Sequence, residues 1–287
     1  MTTKSIDRKT NKIIEEKSPN GANFLYNKLL GRIILSCANK RFVSSIAGFY
    51  MNRKLSTIHI KNFIKSNNID MSEYPDTKYK SFNKFFSREI KEGRRVFSKD
   101  KKDFCAPSDS KLTVYKISQD KEFIIKNKTY TIGSILKDEN LAKEYDNGYF
   151  MVFRLSVDDY HRYAYIDDGK VLSHKSIKGK YHTVAPIAFD RHKVYEENHR
   201  EYDVLETDNF GKIVQMEVGA MMVGKIVNHK KDTFKRSEER GYFLFGGSTI
   251  VIIVKDKVLK IDDDILENSK NNIETKVKQG EKVAKRL

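Results

Sequence analysis

Cysteine is scarce: only Cys37 and Cys105 occur in 287 residues. Neither lies in a CxxC motif or beside a close histidine, which argues against a disulfide framework and a structural zinc site. Two inert, reduced thiols are expected. No apolar run approaches the roughly 18 residues that a spanning helix needs, so no transmembrane helix is expected. The first residues, MTTKSIDRKTNKIIEEKSPNG, lack the apolar core of a signal peptide, which disfavours secretion. The seven histidines fit neither HExxH nor a zinc signature. There is no G-x-S-x-G elbow and no phosphate-loop lysine. Acidic residues are also in the minority, 39 against 55 basic ones, for a net charge of +16. That balance favours an anionic partner, whether nucleic acid, an acidic membrane surface or an anionic substrate.

What is present divides the chain. Residues 1–22 read as a polar, solvated tail. Residues 23–97 read as helical. Leu25, Leu29 and Ile33 recur every fourth residue, Phe42, Ile46 and Phe49 continue the pattern, and Lys and Arg punctuate it. Residues 23–52 read either as two core-packing helices or as an amphipathic pair on a membrane surface. Ser81 is placed to N-cap a helix carrying Phe82, Phe85 and Phe86 on one face. From residue 98 to 287 short apolar or alternating runs are separated by turn signals such as Asp168-Gly169. The expected fold is α+β: a helical N-terminal region followed by a β-rich, barrel or sandwich-like domain.

Four places could carry chemistry. His161 follows Asp158 and Asp159; on a strand, His161 and Asp159 would share a face and the carboxylate could orient the imidazole. His182 lies in a loop. Asp109 sits at a strand start, as an Asx-turn residue or as an acid at the mouth of the domain. Gly246-Gly247-Ser248-Thr249 interrupts the most apolar strand, either as a β-bulge or as a strained Gly247–Ser248 peptide open to attack by the Ser248 hydroxyl.

Seven segments, in order, bear on that choice: SFNKFFSREIKEGRR (81–95), APSDSKL (106–112), LSVDDYHRY (155–163), ENHREY (197–202), VGAMMVGKI (218–226), ERGYFLFGGST (239–249) and ETKVKQGEKV (274–283). Together they resemble the pyruvoyl-dependent phosphatidylserine decarboxylases, from about residue 25 to the C-terminus. The resemblance implies a proenzyme that cuts itself between Gly247 and Ser248. The products would be a β-chain of residues 1–247 and an α-chain of residues 248–287. Ser248 becomes a covalent pyruvoyl group, which takes the amine of phosphatidylserine as a Schiff base and releases CO2 to give phosphatidylethanolamine. No external cofactor and no metal are implied. The family's acid and nucleophile match Asp109 and Ser248, and His161 matches its first histidine, linked to decarboxylation. The second histidine is replaced by Ala164, so either His182 or His161 itself serves as the base for self-cleavage. Ser110 stands where glycine is usual. The resemblance also implies a peripheral protein on the cytoplasmic face of the cell membrane, meeting its lipid through segment 23–52; a homodimer is common in the family.

Two rival readings are a basic, nucleic-acid-binding β-barrel and a pyruvoyl decarboxylase of another amine. The first gives no reason for the ordered motifs, and no nucleic-acid partner is expected.

Overall fold

The computed structural model describes residues 2–17, 28, 31, 41–125, 128–184, 186–220, 225–246 and 248–287. Its centre is the strand Ser248–Val254, whose seven residues are all buried. A strand made of β-branched residues and covered on both faces must be apolar throughout rather than alternating. Each of its large side chains gains about 1.5–3 kcal/mol over exposure. The strand pairs antiparallel with Gly211–Gly219 on one side and Tyr149–Leu155 on the other.

These three strands lie inside a ten-stranded sheet. Its order is Thr233–Phe234, Gly169–Ile177, Arg200–Thr207, Gly211–Gly219, Ser248–Val254, Tyr149–Leu155, Ser110–Lys116, Glu274–Val277, Thr2–Asp7, Ile13–Lys17. Side-chain alternation separates two cores. On one face Ile250, Ile252, Phe153, Leu155 and Ile213 pack beneath two three-stranded sheets, which contribute Tyr163, Phe243, Phe104 and Val283. On the other, Val251, Ile253, Val152 and Val214 meet the hairpin of Glu122–Ile125 with Lys128–Thr131 and several short helices.

The α+β class is therefore as expected, and the chain is strand-rich. A closed barrel is not formed among the described residues: the large sheet keeps two open edges, one of them held by the short strand Thr233–Phe234. The expected helical N-terminal region is represented by separate pieces, Arg41–Met51, Lys54–His59, Ile60–Ser66 and Phe82–Phe86. Ser81 caps the last of these, its hydroxyl accepting from the Lys84 amide at 3.2 Å. Leu25, Leu29, Ile33 and Cys37 lie outside the described residues.

The stretch read as a solvated tail holds a hairpin. Thr2–Asp7 pairs antiparallel with Ile13–Lys17 and parallel with Glu274–Val277. Arg8 anchors it, donating to Asp262, Asp264 and the carbonyl of Lys282. Burial of one strand edge against a segment some 270 residues away outweighs the polar composition.

Candidate active site

Gly247 lies outside the described residues, and both of its neighbours are placed. Gly246 has φ 141°, a conformation open in practice to glycine alone. Ser248 opens the central strand opposite Leu155 and Gly219. Its hydroxyl is fully buried and has no hydrogen-bond partner among the described residues. By alternation it points to the same face as Ile250 and Ile252, toward the three-stranded sheet that holds Arg162–Ala164. The approach to this point is pinned at three amides. Phe243 donates to the carbonyl of His161 at 3.0 Å, Leu244 to that of Lys225 at 3.1 Å, and Phe245 to the side-chain oxygen of Asn83 at 3.0 Å.

His161 is thus stitched to the chain just before Gly247. It does not lie on a strand with Asp159, as expected; residues 156–161 turn, and the strand begins at Arg162. The partner of His161 Nδ1 is the main-chain carbonyl of Asp159, at 2.8 Å. A carbonyl can only accept, so Nδ1 carries the proton and Nε2 carries the lone pair. Nε2 is buried and has no hydrogen-bond partner among the described residues. The Phe86 ring lies 4.0 Å from the imidazole, centroid to centroid. Burial lowers the His161 pKa to about 4, against the opposing charges of Asp159 and Asp109. The ring is therefore neutral at pH 7. The Asp159 carboxylate is used elsewhere, accepting from the Ser156 amide at 2.7 Å and the Lys111 ammonium at 3.3 Å.

Asp109 is buried at the start of its strand and touches neither histidine. Arg95 grips it with two nitrogens at 2.7 and 2.6 Å, and Lys278 and the Gln279 amide complete its shell. Its link to His161 is through space and through the main chain, where Ala164 donates to the Pro107 carbonyl.

His182 sits on the other side. Val184, two residues on, packs in the opposite core. The side-chain amide of Asn198 donates to the carbonyls of both His182 and Gly219, at 2.8 Å each, and its oxygen accepts from the His182 amide. Gly219 faces Ser248 in register, so one side chain ties the His182 loop to the strand beside the serine. The imidazole itself stacks on His192, with centroids 3.8 Å apart, and approaches Glu197 at 3.4 Å.

Two participants had no role assigned from sequence. Asn83 holds the Phe245 amide. Arg88 is buried, lies over the rings of Tyr74 and Phe85, and has no carboxylate partner among the described residues. Both stand in the segment SFNKFFSREI, whose apolar-polar alternation around a buried arginine was the available signal. Nearby, Ile46, Phe49, Leu55 and Ile58 expose more than half of their surface each, beside Arg53 and Lys54. No helix among the described residues is long and apolar enough to cross a membrane.

Comparison with known proteins identifies the family. The sequence profile of the family described as phosphatidylserine decarboxylase matches residues 82–285. Phosphatidylserine decarboxylase proenzyme 2 of Clostridium acetobutylicum is 53% identical over 271 residues, 94% of this chain and 93% of that one. The phosphatidylserine decarboxylase proenzymes of Fusobacterium nucleatum and Ruminiclostridium cellulolyticum are 39% and 38% identical, each over 96% of this chain and 95% of their own. With a profile match over most of its length and a relative at 53% identity, the chain belongs to the phosphatidylserine decarboxylase family.

Proposed function

We propose that the chain is a phosphatidylserine decarboxylase proenzyme that cuts itself between Gly247 and Ser248 and then forms phosphatidylethanolamine and CO2. The observation that carries this reading is the His161 imidazole. Its Nδ1 proton is held by a carbonyl, its Nε2 lone pair is buried with no partner among the described residues, and the residue directly precedes the strand Arg162–Ala164 of the sheet toward which Ser248 points. The word "proenzyme" in the names of the relatives supports processing.

In this reading His161 Nε2 takes the proton of Ser248 Oγ. The oxygen attacks the Gly247 carbonyl carbon, the Gly247–Ser248 C–N bond breaks, and the imidazolium returns the proton to the leaving amine. An ester remains. Loss of the Ser248 Cα proton expels the Gly247 carboxylate, and water then releases ammonia to leave a pyruvoyl group. The residues fit that product: a serine at a buried strand start, with Gly246 two residues before it at φ 141°. The pyruvoyl group supplies a sink for the electron pair left by CO2. Asp109 acts on His161 by charge, favouring the protonated state through which the imidazole passes. Arg88, an uncompensated cation close enough to depress the His161 pKa, suits the anionic headgroup. The exposed apolar set at residues 46–58, rimmed by basic residues, is the membrane contact of a peripheral protein.

The test is a denaturing gel with mass spectrometry on wild-type and Ser248→Ala protein. The wild type should give chains of 247 and 40 residues (287 − 247), the smaller blocked at its N-terminus, and Ser248→Ala should stay whole. A single uncut wild-type chain would sink the reading.

A further inference from the structure

The histidine spacings match no metal motif, yet the fold gathers three donors. His182 arrives on one loop, while His192 precedes and Glu197 ends the short helix Val194–Glu197. Glu197 is held in place, its Oε1 accepting from the Lys193 amide at 2.9 Å. Its Oε2 faces His182 Nε2 at 3.4 Å and His192 Nδ1 at 3.5 Å. Two ligand atoms on one tetrahedral zinc-like ion, each about 2.0–2.1 Å from it, lie about 3.3–3.4 Å apart. The separations observed are close to that span, and all three donor atoms lie within 4.8 Å of one another.

We propose that His182, His192 and Glu197 form a binding site for one divalent transition-metal ion of the zinc class. Two imidazoles and a carboxylate are the donor set for such ions rather than for magnesium or calcium. The Lys180 ammonium lies 3.2 Å from Glu197 Oε2, so a cation is already drawn to this spot. The Lys180 side chain is 61% exposed and can swing away. The two rings, nearly parallel at 18°, fan open by rotation about χ2, a soft torsion for histidine. Asn198 then couples the loaded site to Gly219, beside the central strand. The site shares no residue with the His161 surroundings and stands whether or not the self-cleavage reading holds.

The experiment titrates untagged, chelator-stripped full-length protein with ZnCl2 against a chromogenic chelator, and with CoCl2 followed by its visible d–d bands. One ion per chain is expected, with a Co2+ spectrum of low coordination number. His192→Ala and Glu197→Gln should weaken binding about tenfold or more. Lys180→Ala, which removes a competing cation from an exposed position, should tighten it. Thermal unfolding of the stripped variants checks that they fold; if His192→Ala does not, Glu197→Gln and Lys180→Ala carry the decision. No ion bound by the parent, or affinity unmoved by these substitutions, overturns the proposal.

Discussion

The side-chain oxygen of Asn83 accepts the main-chain amide of Phe245 at 3.0 Å, two residues before Gly247. The Asn83 nitrogen donates in turn to Asn52 at 3.0 Å. A short helix more than 150 residues upstream thus fixes where the segment leading into Gly247 lies. Asn83→Ala should slow self-cleavage about tenfold, equivalent to about 1.4 kcal/mol of positioning lost, with a far smaller change in thermal midpoint. A gel time course from freshly refolded protein reads the rate. An unaltered rate would remove Asn83 from the machinery.

His161 and His182 separate by assay. In His161→Ala, cutting and decarboxylation should both fall by at least about a hundredfold, as for loss of a general base. His182→Ala should cut at close to the parental rate. The reverse pattern for cutting would return the role of base to His182.

Buried charge predicts stability. Arg240 is fully buried, donating to both oxygens of Glu217 at 2.9 Å and to Asp203. Arg240→Met strands those carboxylates and should cost about 3–5 kcal/mol in urea unfolding. Lys170→Met, at the exposed pair with Glu206, should leave the midpoint where it is.

The pH dependence follows from His161. Its pKa falls from 6.5 to about 4 on folding, so the unfolded chain binds a proton that the folded chain refuses. Its contribution is complete above pH 6.5 and is lost as pH falls through the window to about 4. The loss is of order 3 kcal/mol. In an uncut Ser248→Ala background, His161→Gln should flatten the fall in stability between pH 7 and 4. An equal slope in both proteins would show that other groups carry it.

Leu55→Asp with Ile58→Asp should reduce sedimentation with acidic liposomes by about tenfold or more, since each side chain brings about 1.5–3 kcal/mol of burial. Self-cleavage should persist. Unchanged sedimentation would assign the membrane contact elsewhere.

Local signals were legible in the sequence and distant pairings were not. The Ser81 cap and the apolar Ser248–Val254 strand depend on near neighbours, and both appear as read. Asp109 was legible as a strand-start acid; its partners were not, because Arg95 and Lys278 come from 14 and 169 residues away. The His161–Asp159 relationship was misread because a turn replaces the assumed strand, so the carbonyl and not the carboxylate meets the ring. The edge hairpin at residues 2–17 was hidden by its polar composition, since its place in the large sheet depends on pairing with the distant Glu274–Val277.

The position of Ser248–Val254 in the middle of the large sheet has a mechanical consequence. A break in the chain just before Ser248 would leave that strand laced on both sides, to Gly211–Gly219 and Tyr149–Leu155. Farther on, Glu274–Val277 is clamped between Ser110–Lys116 and Thr2–Asp7, and Lys282–Arg286 is held against Asp103–Cys105. The two pieces would behave as a noncovalent complex that only unfolding can part. A new chain end would be created inside a rigid wall, not on a free tail, and a reactive group formed there would keep its address through every turnover.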